Sequence, residues 1–238
     1  MHKQQLFFLC NDTKFRKMLE KQFYKDAFQR IDEERKNIIL EAGIKEFSAK
    51  GYENANINII AKNAGISIGL MYKYFSTKED LFMTCLKRGM DILEKALYDI
   101  MVSDDKLLFK AEKLIRTICI HSRKHSNYIK MYNEISAEKG SIERIRLMVE
   151  EIESKRSSIY VTTIGKALSQ GEVRPDLDPR LFAYFLDNLL TTLQFSYTCD
   201  YYKEKLRIYT GVDVNENNEE QVIAQLLKFI ESAFTFEK

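Results

Sequence analysis

Only two prolines, Pro175 and Pro179, and nine glycines interrupt the 238 residues of this chain. A chain with so few breakers has little to end a helix early or to turn tightly between strands, so it favours a helical protein. Apolar residues make up 45% and charged residues 30%, which suits a globular chain that buries a core rather than a disordered one. The net charge of +2 implies no particular partner by itself. Cys10, Cys85, Cys119 and Cys199 lie far apart and offer no metal-ligand spacing, so they read as reduced cysteines, most of them in the core. No apolar run approaches the roughly 18 residues of a membrane span. The short run Leu6–Cys10 does not make a signal-peptide core. The expected location is therefore cytoplasmic, with no membrane partner.

Apolar spacing predicts helices along the whole chain. Phe15, Met18, Leu19, Phe23 and Ala27 allow one over about 12–29, inside a basic stretch that reads either as a solvated N-terminal extension or as a DNA-touching arm. Met18 could equally be the start of translation. A helix from Asp32 to Lys50 carries Ile38, Ile39, Ala42 and Phe47 inward and stops at Gly51. Asn56 is set to cap Ile57–Asn63, Ser67 to cap a helix through Phe75, and Thr77 to cap a longer helix with Asp80 three residues on. Further helices are predicted at about 105–124, 127–138, 141–170, 179–205 and 219–236.

The stretch "AGISIGLMYKYFSTKEDLF", residues 64–82, concentrates the unusual chemistry. Two short helices around Gly65 have the spacing of a helix-turn-helix, with Ala61 small where the helices must approach. At 100° per residue, Leu70, Met71, Tyr74 and Phe75 turn inward, while Ile68, Gly69, Tyr72 and Lys73 turn outward. A helix start at Ser67 can receive a phosphate, and Gly69 allows close approach of a backbone. Tyr72 and Lys73 can reach sugars, phosphates or base edges. Tyr74 can pack its ring inward and show its hydroxyl, Asn56 can touch a phosphate, and Lys78 adds a cation at the next helix start.

With those residues before it, the segment "FSAKGYENANINIIAKNAGISIGLMYKYFSTKEDLF" resembles the DNA-binding domain of TetR-family transcriptional regulators over residues 33–83. The resemblance implies DNA contacts at Tyr72, Tyr74 and Lys78. "GEVRPDLDP" is similar to the linker ahead of the helix that this family uses to dimerise. Three departures stand out: Ile68 where the family often has Lys or Arg, Ala55–Asn56 where it usually has Thr or Ser, and a long N-terminal extension.

The expected fold is all-α, with a three-helix DNA-binding domain at 31–78 after an extension at 1–30, and a larger helical effector-binding and dimerisation domain at 79–238. The resemblance implies a double-stranded operator, a small-molecule effector and a homodimer, and the Met and aromatic residues of the intervening helices suit a lipophilic effector. Met90, Phe109, Met131, Tyr132, Met148 and Tyr160 are the candidate pocket residues. Phe182, Phe185, Leu186, Leu189 and Leu193, with Ile223, Leu227, Ile230 and Phe234, are the candidate dimer stripe, with the chain's own core as the other explanation. The expected function is a ligand-released repressor. The alternatives are an activator on the same fold or a helical interaction module that binds no DNA. No cofactor is expected. The pair His121 and His125 could bind a metal at i, i+4, but no third ligand or general base lies near it in sequence, so an enzyme is not expected.

Overall fold

The computed structural model describes residues 22–137, 143–213, 215 and 218–235. Among them the regular elements are all α-helices: α1 Asp26–Gln29, α2 Glu33–Asn54, α3 Ile57–Asn63, α4 Ile68–Tyr74, α5 Lys78–Val102, α6 Leu107–Lys124, α7 Ser126–Ala137, α8 Glu143–Ser169, α9 Pro179–Ser196, α10 Asp200–Thr210 and α11 Glu219–Phe234. They belong to two compact units. The first holds residues 22–90 and 143–151, and the second holds residues 91–137 and 152–235.

In the first unit, Asp32 caps α2 by accepting from the Arg35 N–H at 2.7 Å. Ile39, Leu40, Ile44 and Phe47 are the residues that α2 buries; Ile38, expected inward, lies exposed beside them. Gly43 lies on α2 where it packs closely against Cys85 and Leu81 of α5. A Cβ there would sit 2.9 Å from the Cys85 sulfur, inside van der Waals contact. Gly51 takes a left-handed φ of 72° and kinks the end of α2. The first turns of α5 supply Leu81, Phe82, Met83, Cys85 and Leu86 to this core, and burial raises the Cys85 thiol pKa.

The N-terminal stretch departs from the sequence expectation. Phe15, Met18 and Leu19 lie outside the described residues. Residues 22–25 are not helical, and α1 is a single turn. Its anchor is Phe28, buried against Phe75 with ring centroids 4.8 Å apart and edge-on to Tyr74 at 5.6 Å. Phe23 is buried too, while Ala27 is only partly so.

The second unit is built on Leu114, Ile115 and Ile118 of α6, Tyr160 and Ile164 of α8, Leu186 and Leu190 of α9, and Ile223, Ile230 and Phe234 of α11. The single helix expected over 179–205 is two helices. The Tyr197 N–H already bonds the Gln194 carbonyl in a tightened turn, and Cys199 is extended at φ −103°, ψ 124°. The Ser196 hydroxyl bonds back to the Thr192 carbonyl at 2.8 Å, and Asp200 favours a fresh N-terminus; small polar residues compete with the helix ladder at this point.

A partly buried polar cluster lies within this unit. The Arg156 guanidinium reaches the Asp187 carboxylate at 3.3 Å, the Thr191 hydroxyl at 3.4 Å and the Tyr132 hydroxyl at 3.3 Å, and Tyr132 also donates to Glu153. Burial pushes the Asp187 carboxyl up while Arg156 pulls it down.

Gly43→Ala is expected to lower stability by about 1–3 kcal/mol, because the added methyl forces the Cys85 sulfur and its helix apart. Urea unfolding with an unchanged m-value is the check. Full stability in the mutant means that the two helices can separate freely.

Candidate nucleic-acid interface

The turn that aims α4 is set by backbone bonds. The Gly65 N–H donates to the Lys62 carbonyl at 3.1 Å, and the Ile66 N–H reaches back to the Ala61 carbonyl at 3.0 Å. That is a Schellman ending, which needs a left-handed residue after the cap, and Gly65 supplies it at φ 63°. Arg35 on α2 closes the turn by donating to the Gly65 carbonyl at 3.0 Å. Ser67 then caps α4 by accepting from the Leu70 N–H at 3.1 Å, and Asn56 caps α3 by accepting from the Asn58 N–H at 2.9 Å.

The two faces of α4 differ completely. Met71 and Phe75 are fully buried and Tyr74 is 6% exposed, so Tyr74 contributes mainly its ring to the core. Ile68, Gly69, Tyr72 and Lys73 are exposed, with Tyr72 at 46%. Gly69 is informative because nothing among the described residues requires it. A Cβ there would meet only the Ser67 hydroxyl oxygen, at 4.0 Å. A glycine with open space around it on an outward face leaves room for something outside the chain to come close.

Lys78 behaves differently from the expectation of a free cation. Its ammonium donates to the Glu53 carbonyl at 2.9 Å and the Ala55 carbonyl at 3.2 Å, and it lies over the Tyr52 ring at 4.8 Å. A cation at the carbonyl end of α2 satisfies orphan acceptors there, so Lys78 is spent on the fold. Lys25 takes a similar part at the end of α4. Its backbone N–H bonds the Tyr74 carbonyl and its ammonium bonds the Tyr72 carbonyl, each at 2.8 Å. Neither role is legible in the sequence, because each partner is a backbone carbonyl far away along the chain.

The other expected sites are placed as follows. Phe109 is 63% exposed, which removes it from any enclosed pocket. Met131 and Tyr160 are buried and Tyr132 is partly buried in the second unit, whereas Met90 and Met148 belong to the first. Along the expected dimer stripe, Leu186, Leu193, Ile223, Ile230 and Phe234 are buried in the chain's own core. Phe182, Leu189 and Leu227 are half-buried, and Phe185 is exposed. His121 and His125 lie with ring centroids 5.3 Å apart, and burial followed by His125 lowers the pKa of His121. Among the described residues, no three His, Cys, Asp or Glu side chains cluster as metal ligands would.

A match to known proteins decides what this geometry belongs to. Residues 39–84 match the family described as bacterial regulatory proteins, tetR family. That match spans most of α2, the helix-turn-helix and the start of α5. It is 26% identical over 168 residues to the uncharacterized HTH-type transcriptional regulator YhgD of Bacillus subtilis, covering 69% of this chain and 84% of that one. It is 24% identical over 152 residues to the HTH-type transcriptional repressor KstR2 of Mycobacterium tuberculosis, covering 64% and 76%. The fold is also that of the transcriptional regulator FadR from Bacillus subtilis, solved in complex with stearoyl-CoA, with a TM-score of 0.63 at 20% identity over 83% of this chain and 98% of that one. The all-α architecture with an N-terminal helix-turn-helix is shared with this neighbour.

Substitutions on α4 and α5 separate the two kinds of lysine. Lys73→Ala should weaken binding of duplex DNA and reduce the log affinity against log salt slope by ~0.9 for each phosphate lost. Lys78→Met should lower unfolding stability while leaving that slope unchanged. Gly69→Leu should raise helix propensity by just under ~1 kcal/mol and leave the protein at least as stable, yet abolish DNA binding. Fluorescence anisotropy at several salt concentrations, paired with thermal melts, reads all three. Wild-type DNA affinity in Gly69→Leu would show that nothing approaches α4 at that point.

Proposed function

We propose that this chain is a transcriptional repressor that binds a palindromic operator as a homodimer and leaves it when a small effector binds. The observation that carries this reading is the division of α4, with Met71 and Phe75 fully buried on one side and Ile68, Gly69, Tyr72 and Lys73 free on the other. The second helix of a helix-turn-helix enters the major groove with its outward residues against base edges. Tyr72 packs on sugar or a thymine methyl, Lys73 neutralises a phosphate or reads a guanine edge, and Gly69 lets the backbone approach. Ile68 supplies an apolar contact where a cation is often found.

A relative named as a repressor and a neighbour solved with stearoyl-CoA support repression and an effector with a long apolar part. The partly buried polar group of Arg156, Asp187, Tyr132 and Glu153 offers the second unit a cation and a hydroxyl for an effector's polar end. Reading a palindrome needs two heads on successive grooves about 34–36 Å apart, hence a dimer. The residues we assign to that interface are the exposed ones on α9 and α11: Leu181, Tyr184, Phe185 and Phe229. The first three recur at helical spacing along a single stripe, on the side of α9 opposite Leu186 and Leu190. The relatives are regulators, and no enzymatic activity is proposed for this chain. No described helix is long and apolar enough to cross a membrane.

A gel shift on the DNA directly upstream of the protein's own coding sequence, repeated at rising salt, tests the function. A salt-sensitive shifted band is expected, and no band at low salt on that DNA counts against it. The double mutant Tyr184→Glu with Phe185→Glu should sediment as a folded monomer and lose about a hundredfold or more in operator affinity, since the second head no longer binds as part of the same molecule. A dimer of wild-type affinity would place the interface elsewhere.

A further inference from the structure

Two segments that meet the C-terminal end of α4, the strap at Phe23–Lys25 and the start of α5, both contact one side chain. Arg144 lies in the first turn of α8, and residues 143–151 of that helix belong to the first unit. Its guanidinium reaches Glu79 Oε1 at 2.8 Å and Asp80 Oδ1 at 3.0 Å, the two acids in the first turn of α5. It also lies over the Phe23 ring at 5.3 Å. Phe23 is buried, and its carbonyl accepts a hydrogen bond from the Thr84 hydroxyl at 3.3 Å. Two residues on, Lys25 holds the carbonyls of Tyr72 and Tyr74.

We propose that Arg144 is the positioning residue of the DNA-reading helix: one guanidinium holds both the strap at Phe23–Lys25, which bonds the C-terminal end of α4, and the start of α5, which follows that end, and so fixes the last turn of α4 from two sides. The idea rests on the assignment of α4 as the reading helix. The chemistry suits arginine in particular. A planar fork can engage two neighbouring carboxylates while its face stacks on a ring, and a lysine ammonium cannot do both. The three partners are half-buried or buried, so water screens the contacts less than at an open surface. α4 has only seven residues and depends on its flanks for its pose. α8 runs on from Arg144 into residues of the second unit, where it carries Arg156 and Tyr160. A change in α8 that moved Arg144 would therefore act on the pose of α4 without touching DNA.

The test is hydrogen exchange on DNA-free protein, comparing wild type with Arg144→Met and Arg144→Lys. In the Met variant the amides of residues 25–30, 71–75 and 81–85 should exchange about fivefold to tenfold faster, while α6, α9 and α11 are unchanged. The Lys variant should restore only part of the protection. If Arg144→Met does not fold, Asp80→Asn removes one arm of the same fork and should loosen the same segments. Unchanged exchange there in a folded variant overturns the proposal. On the upstream DNA, Arg144→Met should weaken binding severalfold with the salt slope unchanged. A slope reduced by ~0.9 per head would instead make Arg144 a phosphate contact and overturn the positioning role. Because the exchange arm uses no DNA, it judges Arg144 even if the wild-type protein fails to bind that DNA, which is the separate failure of the DNA-reading assignment.

Discussion

A helix of seven residues does not sustain itself in water, because the cost of nucleating a helix is repaid only over many more turns. Everything that α4 can do therefore depends on the burial of its inner face. Met71 and Phe75 have no exposure at all, and Phe28 closes over Phe75 and Tyr74 from the N-terminal side. Fully burying such side chains contributes about 1.5–3 kcal/mol each, enough to hold a helix that propensity alone would leave unfolded. The same burial fixes which residues remain outside.

The charges around this helix divide into two groups. Lys25, Lys78 and Arg35 are tied to backbone carbonyls at the ends of α4 and α2 and in the turn at Gly65. Each sits where a helix or turn leaves acceptors unpaired, and the positive charge complements that end of the helix dipole. Lys73 lies on the outward face with Tyr72. A basic residue in a DNA-binding unit is thus no proof of a DNA contact. What separates the two groups is whether a carbonyl of the same chain lies within reach.

In the second unit, the stripes on α9 and α11 turned out to have two faces. Leu186, Leu193, Ile223, Ile230 and Phe234 belong to the chain's own core, while Leu181, Tyr184, Phe185 and Phe229 face out. Helical periodicity shows that a helix has an apolar side. It does not say whether a second apolar side, on the opposite face, meets this chain or another.

Much was legible before any coordinates. The scarcity of Pro and Gly announced helices, and Asn56, Ser67 and Thr77 each cap where their spacing said they would. The 100° rotation placed Met71 and Tyr74 inward and Ile68, Gly69, Tyr72 and Lys73 outward as found, while Leu70, expected inward, is half-buried. Gly65 was identifiable because only a left-handed turn explains a glycine between two short helices. Tertiary structure alone decided the rest. The break at Tyr197–Cys199 carries no Pro or Gly and arises from buried hydroxyls that compete with the helix ladder. The roles of Lys25, Lys78 and Arg144 depend on partners between 23 and 121 residues away, whose approach no local pattern encodes. Local spacing specifies which way a side chain leaves its helix; only packing specifies what it meets there.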